Sequence, residues 1–418
     1  MGMDIVVIGG GMAGARLAQQ LAPHDVRVTL IGEEQHAPYN RVLLAEVLAG
    51  RYAPDVIALP AAGCTVRRVV RVDRAEQVAV CDDGSVVRYD RLVLATGSNP
   101  VLPPLRGLFE DGRGDLPLGV HAFRTMDDCL ALSEAVGPGV RAVVVGGGLL
   151  GVSAARALAA RGAQVVLAQQ GEYLMERHLD EPAGRLLRAH LESLGVEVHT
   201  ECRVRGLRTQ SPGAQDGPRV VESVELADGY CLGADIVVLA CGVRPRVGLA
   251  QAAGLDVAKG IVVDDELRTS DPRIHAIGDC AQHRGVVYGL ANAAREQADV
   301  LARLLAGETA AGYGGTRALT RLTLGGSATP FGSTGIAPFD IAAFGDPRPA
   351  PGDDVLRLAD ATRGAYRKVV IRDDRLVGGI LLGDLAAVGT LARTWEADEA
   401  LPATSAPLLH LLTNDGGS

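Results

Sequence analysis

Two glycine-rich turns of the kind that cradles a pyrophosphate occur in this chain, Gly9-Gly10-Gly11-Met12-Ala13-Gly14 and Gly146-Gly147-Gly148-Leu149-Leu150-Gly151. Each follows an apolar run, Ile5-Val6-Val7-Ile8 in one case and Ala142-Val143-Val144-Val145 in the other. The pattern reads as strand, turn and helix. The first Gly permits the tight turn, the second lets backbone approach the phosphates, and the third lets helix and strand pack closely. The free N–H groups of the helix N-terminus then face the negative charge. One such turn is a weak signal. Two, each within a βαβ pattern, point to two dinucleotides in one protein, a bound flavin and a diffusible nicotinamide.

The two copies are in register. A shift of 137 positions carries Gly9 onto Gly146 and Gly14 onto Gly151, and carries Arg27-Val28-Thr29-Leu30-Ile31 onto Gln164-Val165-Val166-Leu167-Ala168. The ribose-binding position of this fold lies about 20 residues past the glycines, at the end of the second strand. In the first copy it is Glu33, a carboxylate that accepts from both ribose hydroxyls and repels a 2′-phosphate. In the second it is Gln170, preceded by Gln169, which leaves NADH and NADPH both open.

The elements around these turns set the organisation. With 418 residues the chain is expected to form two or three domains. Residues 64–96 alternate apolar and polar around a turn at Asp82-Asp83-Gly84-Ser85 and read as antiparallel strands, closed by the buried strand Leu92-Val93-Leu94 before Ala95-Thr96-Gly97. The second half repeats the plan with a meander near Val220–Leu232 and the strand Ile236-Val237-Val238-Leu239 before Ala240-Cys241-Gly242. From about Thr316 the sequence becomes β-rich, with a hairpin expected at Asp373-Asp374. The expected fold is α/β: two Rossmann-like dinucleotide-binding domains of three-layer ββα type and a C-terminal α+β domain. The first is split over 1–115 and 240–315, the second covers 116–239, and the third 316–418.

Composition narrows the function. The net charge of −9 gives no electrostatic case for nucleic acid. No run of about eighteen uncharged apolar residues is present, so no membrane span is expected. The N-terminal strand begins at once, and a cytoplasmic location is expected. Lysine occurs only at Lys259 and Lys368. The seven cysteines are scattered with no C-x-x-C spacing, which argues for reduced thiols and against a redox dithiol, a metal site or an iron–sulfur cluster. Electrons that reach a flavin here must leave to a separate acceptor.

The paired glycine turns, Ala95-Thr96-Gly97, Ala240-Cys241-Gly242 and Ile277-Gly278-Asp279 resemble the pyridine nucleotide–disulfide oxidoreductase superfamily. Three narrower motifs resemble its ferredoxin/rubredoxin-reductase type, and most of all the N-terminal flavin module of assimilatory nitrite reductase large subunits. They are Pro38-Tyr39-Asn40-Arg41-Val42-Leu43-Leu44, Leu174-Met175-Glu176-Arg177-His178-Leu179-Asp180 and Arg268-Thr269-Ser270-Asp271-Pro272. The resemblance implies FAD in the split domain, NADH or NADPH as co-substrate in the second, and a third domain that covers the flavin and often helps form a subunit interface.

It also implies roles for single residues. Gly9, Gly11, Met12, Ala13 and Gly14 would hold the FAD pyrophosphate and Glu33 its ribose. Val69, Ala95, Thr96 and Gly97 would lie at the adenine half, and Asp279, after Gly278, would take a ribityl hydroxyl. Arg41 falls where many relatives place a Lys near the isoalloxazine, where a positive charge stabilises reduced flavin. Gly146, Gly148, Leu150 and Gly151, with Gln170 and Gly242, would hold the nicotinamide dinucleotide. No metal ligands are expected.

Two departures from the family pattern bear on function. Ser153 stands where relatives carry an acidic residue, and 291–297 lacks their aromatic helix start. The main expectation is a reductase that passes electrons from NAD(P)H through FAD to a small iron–sulfur protein such as a ferredoxin or rubredoxin, as a monomer or homodimer. The alternative is a flavin oxidase or specialised biosynthetic flavoenzyme that acts on a small organic substrate with a weakened nicotinamide site. Six-electron nitrite reduction is not expected of this chain, which shows no ligands for a metal centre.

Overall fold

The apolar runs that precede the two glycine turns become the central strands of two parallel sheets. A computed structural model describes the chain except residues 1, 61–62, 110–113, 212–216, 310, 326–327, 330–331, 334–338, 361, 384, 386, 402–411 and 413–418. In the first sheet Met3–Ile8 lies between Val26–Gly32 and Arg91–Leu94, with Cys64–Val66 and Ile274–Ala276 at the edges, all parallel. In the second, Arg141–Val145 lies between Gln164–Ala168 and Ile236–Leu239, with Val196–His199 and Val120–Ala122 outermost, again all parallel. Ile8 pairs with Ile31 as Val145 pairs with Ala168, so the 137-residue shift of the sequence also holds in the strand register. The central strands of both sheets are covered on both faces, which explains the Val, Ile and Leu runs of Met3–Ile8, Arg91–Leu94, Arg141–Val145 and Ile236–Leu239.

The fold class is the expected α/β. One local expectation changes: Cys64–Val66 is not part of the antiparallel meander but joins the first sheet parallel to Val26–Gly32. The meander itself is Val69–Asp73, Val78–Cys81 and Val86–Arg88, and its counterpart is Val204–Gln210, Val220–Leu226 and Cys231–Gly233.

Eight α-helices complete the described part. They are α1 (Met12–Leu21), α2 (Leu44–Leu48), α3 (Met126–Ala135), α4 (Leu149–Ala160), α5 (Glu181–Ser193), α6 (Gly248–Ala252), α7 (Ala291–Leu305) and α8 (Val388–Ala397). None is long and apolar enough to cross a membrane. Helices α1 and α4 start directly after the third consecutive glycine of each turn, with Gly11 and Gly148 as N-caps that supply no side-chain hydrogen bond. Their first N–H groups are therefore left for another partner. Thr125 closes a capping box with Asp128 at the start of α3, and the Asp180 side chain caps α5 through Ala183 N.

The chain crosses between the two parallel sheets twice, and the crossings Ser98–Pro100 and Val243–Pro245 pair antiparallel. Beyond them a five-stranded antiparallel sheet runs in the order Leu319–Leu324, Phe339–Gly345, Arg375–Leu382, Ala365–Arg372, Asp354–Asp360, with α8 on one face. Asp373 and Asp374 both adopt positive φ in the expected hairpin. One apolar core runs through all three parts. It joins Leu44 and Leu48 of α2, Val152 and Leu158 of α4, and Phe339 and Ile380 of the antiparallel sheet.

Lys368, one of two lysines in the chain, is 3% exposed, and its Nζ lies 2.9 Å from Asp180 Oδ2. Tyr366 Oη donates to the same oxygen at 2.8 Å, while Asp180 Oδ1 accepts from Ala183 N. A single carboxylate thus caps α5 and ties the antiparallel sheet to the second parallel sheet. Removing it with Asp180→Ala strands a buried ammonium, and we expect an unfolding free energy lower by about 4 kcal/mol in denaturant titrations. Lys368→Met, which removes the cation together with its need for a partner, should cost less than half of that.

Burial holds His275 neutral and lowers its pKa to about 4. The unfolded imidazole titrates near 6.5, so the unfolded chain takes up the proton first. Stability is full above that pH and falls as pH drops from about 6.5 toward 4, by up to roughly 3 kcal/mol. Melting temperature against pH should show this slope in the native chain and a shallower one in His275→Asn.

Candidate functional site

Both glycine turns open into one continuous cleft of about 2410 Å³. Backbone geometry explains the first and third glycines. Gly9 and Gly146 have φ of 121° and 109°, a region that suits glycine, and each strand-end carbonyl points at the following helix. A Cβ on Gly14 would overlap the carbonyl oxygen of Gly9, and one on Gly151 that of Gly146. Gly14 and Gly151 therefore pack the turn, while Gly9, Gly11, Gly146 and Gly148 line the cleft.

Gly11 and Gly148 behave differently. They have ordinary φ of −77° and −81°, and a Cβ on either would meet nothing within 4 Å. The folded chain does not require glycine at these two places. A ligand brought against the backbone would. The two helix N-termini, the uncapped N–H groups and the open space form two sites of like design with the geometry to accept an anion.

Of the other residues expected at the first dinucleotide, Met12, Ala13, Glu33, Arg41, Val69, Ala95, Thr96, Gly97, Gly278 and Asp279 all line the same cleft. Asp279 Oδ2 accepts from Arg124 Nη2 at 2.5 Å and from Ser98 Oγ at 2.9 Å. Gly278 has φ of 77°, and its N–H donates to the buried Gln297 Oε1 at 2.7 Å, which fixes the turn that presents Asp279. Glu33 is bound by Arg246, whose Nε also donates to Asn99 Oδ1 at 2.7 Å.

Arg41 is not a free positive charge. Its Nη2 donates to Glu34 Oε1 at 2.6 Å, its Nη1 to the Arg124 carbonyl at 2.6 Å, and its guanidinium lies 5.1 Å from the centre of the Tyr39 ring. Tyr39 Oη donates to the other oxygen of Glu34 at 2.6 Å, and burial carries its pKa above the usual phenol range. Arg41 is thus held rigidly, with Glu34 offsetting its charge, and Arg124 stands as the second cation of the site beside Asp279.

On the second dinucleotide side, Leu150, Gln170 and Gly242 line the cleft. Gln169 is already committed, since its Oε1 accepts from Gly147 N at 2.7 Å, whereas Gln170 is exposed. The Ser153 hydroxyl donates to the Leu149 carbonyl at 2.8 Å, within its own helix. All seven cysteines are free thiols. Burial pushes Cys241 up to about 11 and raises Cys64, Cys202 and Cys280, so these thiols stay protonated and poorly nucleophilic.

Arg124, Ser98, Glu34 and Arg246 were missed in the sequence. Arg124, Ser98 and Arg246 gain their places from tertiary contacts across 83 to 213 positions, whereas Glu34 meets Tyr39 and Arg41 only 5 and 7 positions away. Arg124 carries a local sign, the capping box Thr125-x-x-Asp128 that begins immediately after it.

Gly148→Ala puts a methyl group into open space, so melting temperature should stay within about 2 °C while nicotinamide dinucleotide affinity falls about tenfold or more in equilibrium titration. Gly151→Ala, which overlaps the turn itself, should lower both.

A family profile described as pyridine nucleotide-disulphide oxidoreductase matches residues 3–298, and one described as rubredoxin NAD+ reductase C-terminal domain matches residues 336–397. The chain is 32% identical over 432 residues to the NAD(P)H nitrite reductase of Bacillus subtilis, a match that covers 99% of this chain and 50% of that protein. It is 34% identical over 288 residues to the ferredoxin–NAD(+) reductase component of the biphenyl dioxygenase system of Paraburkholderia xenovorans, covering 66% of this chain and 67% of that one. The chain spans about half or less of the length of the nitrite reductase relatives. Among solved structures, the covalent putidaredoxin reductase–putidaredoxin complex superposes with a TM-score of 0.81 at 24% identity, covering 98% of each chain. A ferredoxin reductase from Rhodopseudomonas palustris gives a TM-score of 0.79 at 25% identity, with 95% of each chain covered. The paired glycine turns, the shared cleft and the family match over residues 3–298 lead to one conclusion: this chain belongs to the pyridine nucleotide-disulphide oxidoreductase family.

Proposed function

We propose that the protein is an FAD-dependent NAD(P)H oxidoreductase that passes electrons to a small iron–sulfur acceptor protein, a ferredoxin or a rubredoxin. The observation that carries this reading is that two phosphate cradles, each with a glycine the fold does not need, open into one cleft. The relatives include a ferredoxin reductase component, and the C-terminal match is to a rubredoxin reductase domain.

FAD would supply the conversion between two-electron hydride chemistry and one-electron transfer. The chain's own residues supply binding, orientation and charge. Gly9, Gly11, Met12 and Ala13 would seat its pyrophosphate on the N-terminus of α1, and Glu33, released from Arg246, its adenosine ribose. Val69, Ala95, Thr96 and Gly97 line the adenine half. Asp279 accepts hydrogen bonds only, so it suits a ribityl hydroxyl. Arg124 holds it aimed into the cleft.

Arg41 and Arg124 place two guanidiniums at the flavin end, with Glu34 balancing the first. Gly146, Gly148, Leu150 and Gly242 would seat the nicotinamide dinucleotide on α4, and Gln170 would face its ribose. The seven cysteines are free thiols, so they form no disulfide to carry electrons.

Anaerobic stopped-flow of the FAD-loaded protein, with NADH and NADPH in parallel, tests this reading. Rapid bleaching of the flavin band by one nucleotide, followed by reoxidation on addition of ferredoxin or rubredoxin, is the expected result. No bleaching by either would sink it and favour a flavoenzyme fed by a small organic substrate.

A further inference from the structure

Arg156 is 2% exposed, and one carboxylate, Glu46, answers its charge. Arg156 Nη2 donates to Glu46 Oε1, while Nε and Nη1 are buried with no hydrogen-bond partner among the described residues. The other oxygen, Glu46 Oε2, lies 3.1 Å from Arg51 Nη1. A half-satisfied buried cation is a poor device for stability alone, because an apolar side chain of similar volume does as well or better at such a place. Its position gives another reason for it.

Arg156 lies on α4, the helix whose N-terminus forms the second phosphate cradle. Glu46 lies on α2, which begins three residues after Arg41 and follows it without a break. The pair therefore joins one rigid element from each dinucleotide site. A second contact repeats the link one turn further along. Arg161, which ends α4, donates from Nη1 to the Leu48 carbonyl of α2 at 3.2 Å and from Nη2 to the Ser133 carbonyl of α3 at 3.1 Å. At its other end the Arg41 turn is fixed to the Arg124 carbonyl. On α4, Ser153 lies three positions before Arg156 and on the same face, and it lines the cleft without charge.

We propose that Arg156 and Glu46 are positioning residues: their buried pair sets the separation between the α4 cradle and the Arg41 turn, and so the approach of nicotinamide to flavin. Hydride transfer depends steeply on this separation. The idea rests on the function proposed above.

The test uses the full chain loaded with FAD, in native form and as Arg156→Met, Arg156→Lys and Glu46→Gln/Arg156→Met. Three quantities are read: the flavin reduction rate at saturating nucleotide, the nucleotide dissociation constant, and hydrogen exchange of residues 39–48 without nucleotide. In Arg156→Met the limiting rate should fall about tenfold to a hundredfold, while the dissociation constant stays within about threefold and FAD is retained. Exchange over residues 39–48 should rise. The double variant, which leaves neither charge stranded, should fold as well as the native chain and still be slow. Arg156→Lys, which keeps a cation, should recover most of the rate.

A native limiting rate in both Met-containing variants would overturn the proposal. So would a loss that merely tracks lost FAD. If native protein is bleached by neither nucleotide, the functional reading has failed. The exchange measurement then decides the pair on its own, since unchanged protection of residues 39–48 would sink it.

Discussion

The close approach of a strand-end carbonyl to the helix that follows it is the constraint from which the rest of this molecule is built. At Gly14 and Gly151 the turn's own carbonyl leaves no volume for a Cβ, and at Gly9 and Gly146 the carbonyls of Ala95 and Ala240, at the ends of the neighbouring strands, leave none either. That approach aims the free N–H groups of α1 and α4 outward, into a common cleft. It also sets each helix tightly on its sheet, so that the strands Met3–Ile8 and Arg141–Val145 sit centrally and buried. The repeated register, Ile8 to Ile31 and Val145 to Ala168, follows from the same geometry used twice.

Two such units face one another only if something holds them. Burial of apolar surface does most of this work, through a core that runs from α2 and α4 into the antiparallel sheet. Apolar contact is not directional, however, and the polar contacts supply direction. Asp180 gathers Lys368, Tyr366 and the start of α5 at one joint. Arg41, Glu34, Tyr39 and Arg124 interlock at another, with Asp279 at the end of the chain of contacts. These are charge-assisted bonds in half-buried surroundings, where they are stronger than on a wet surface and where a missing partner is costly.

The site is arranged so that charges come with their answers already in place. Asp279 has Arg124, Arg41 has Glu34, and Glu33 has Arg246. A cofactor entering the cleft would exchange one partner for another and not meet bare charge. Arg41, expected from the sequence as a positive charge near the flavin ring, is in the folded chain one half of an ion pair with Glu34.

The sequence by itself determined what depends on local geometry. Glycine at 9, 14, 146 and 151 is demanded by turns a few residues long, and the 137-residue repeat follows from two similar runs of Val and Ile, so both glycine turns, the cleft-lining places of Glu33 and Gln170 and the α/β class were legible before any coordinate. Asp279 was legible because its turn needs Gly278 directly before it. The tertiary structure alone decided what depends on distant partners. Cys64–Val66 became parallel because an edge of the first sheet was open to it, a fact its own alternation does not carry. Arg124, Arg156 and Arg246 look alike among the many arginines of the chain. Glu46 and Glu33 are separated from Arg156 and Arg246 by 110 and 213 positions. No local pattern encodes such pairings, since what selects them is the burial and alignment that arise only when the sheets have packed.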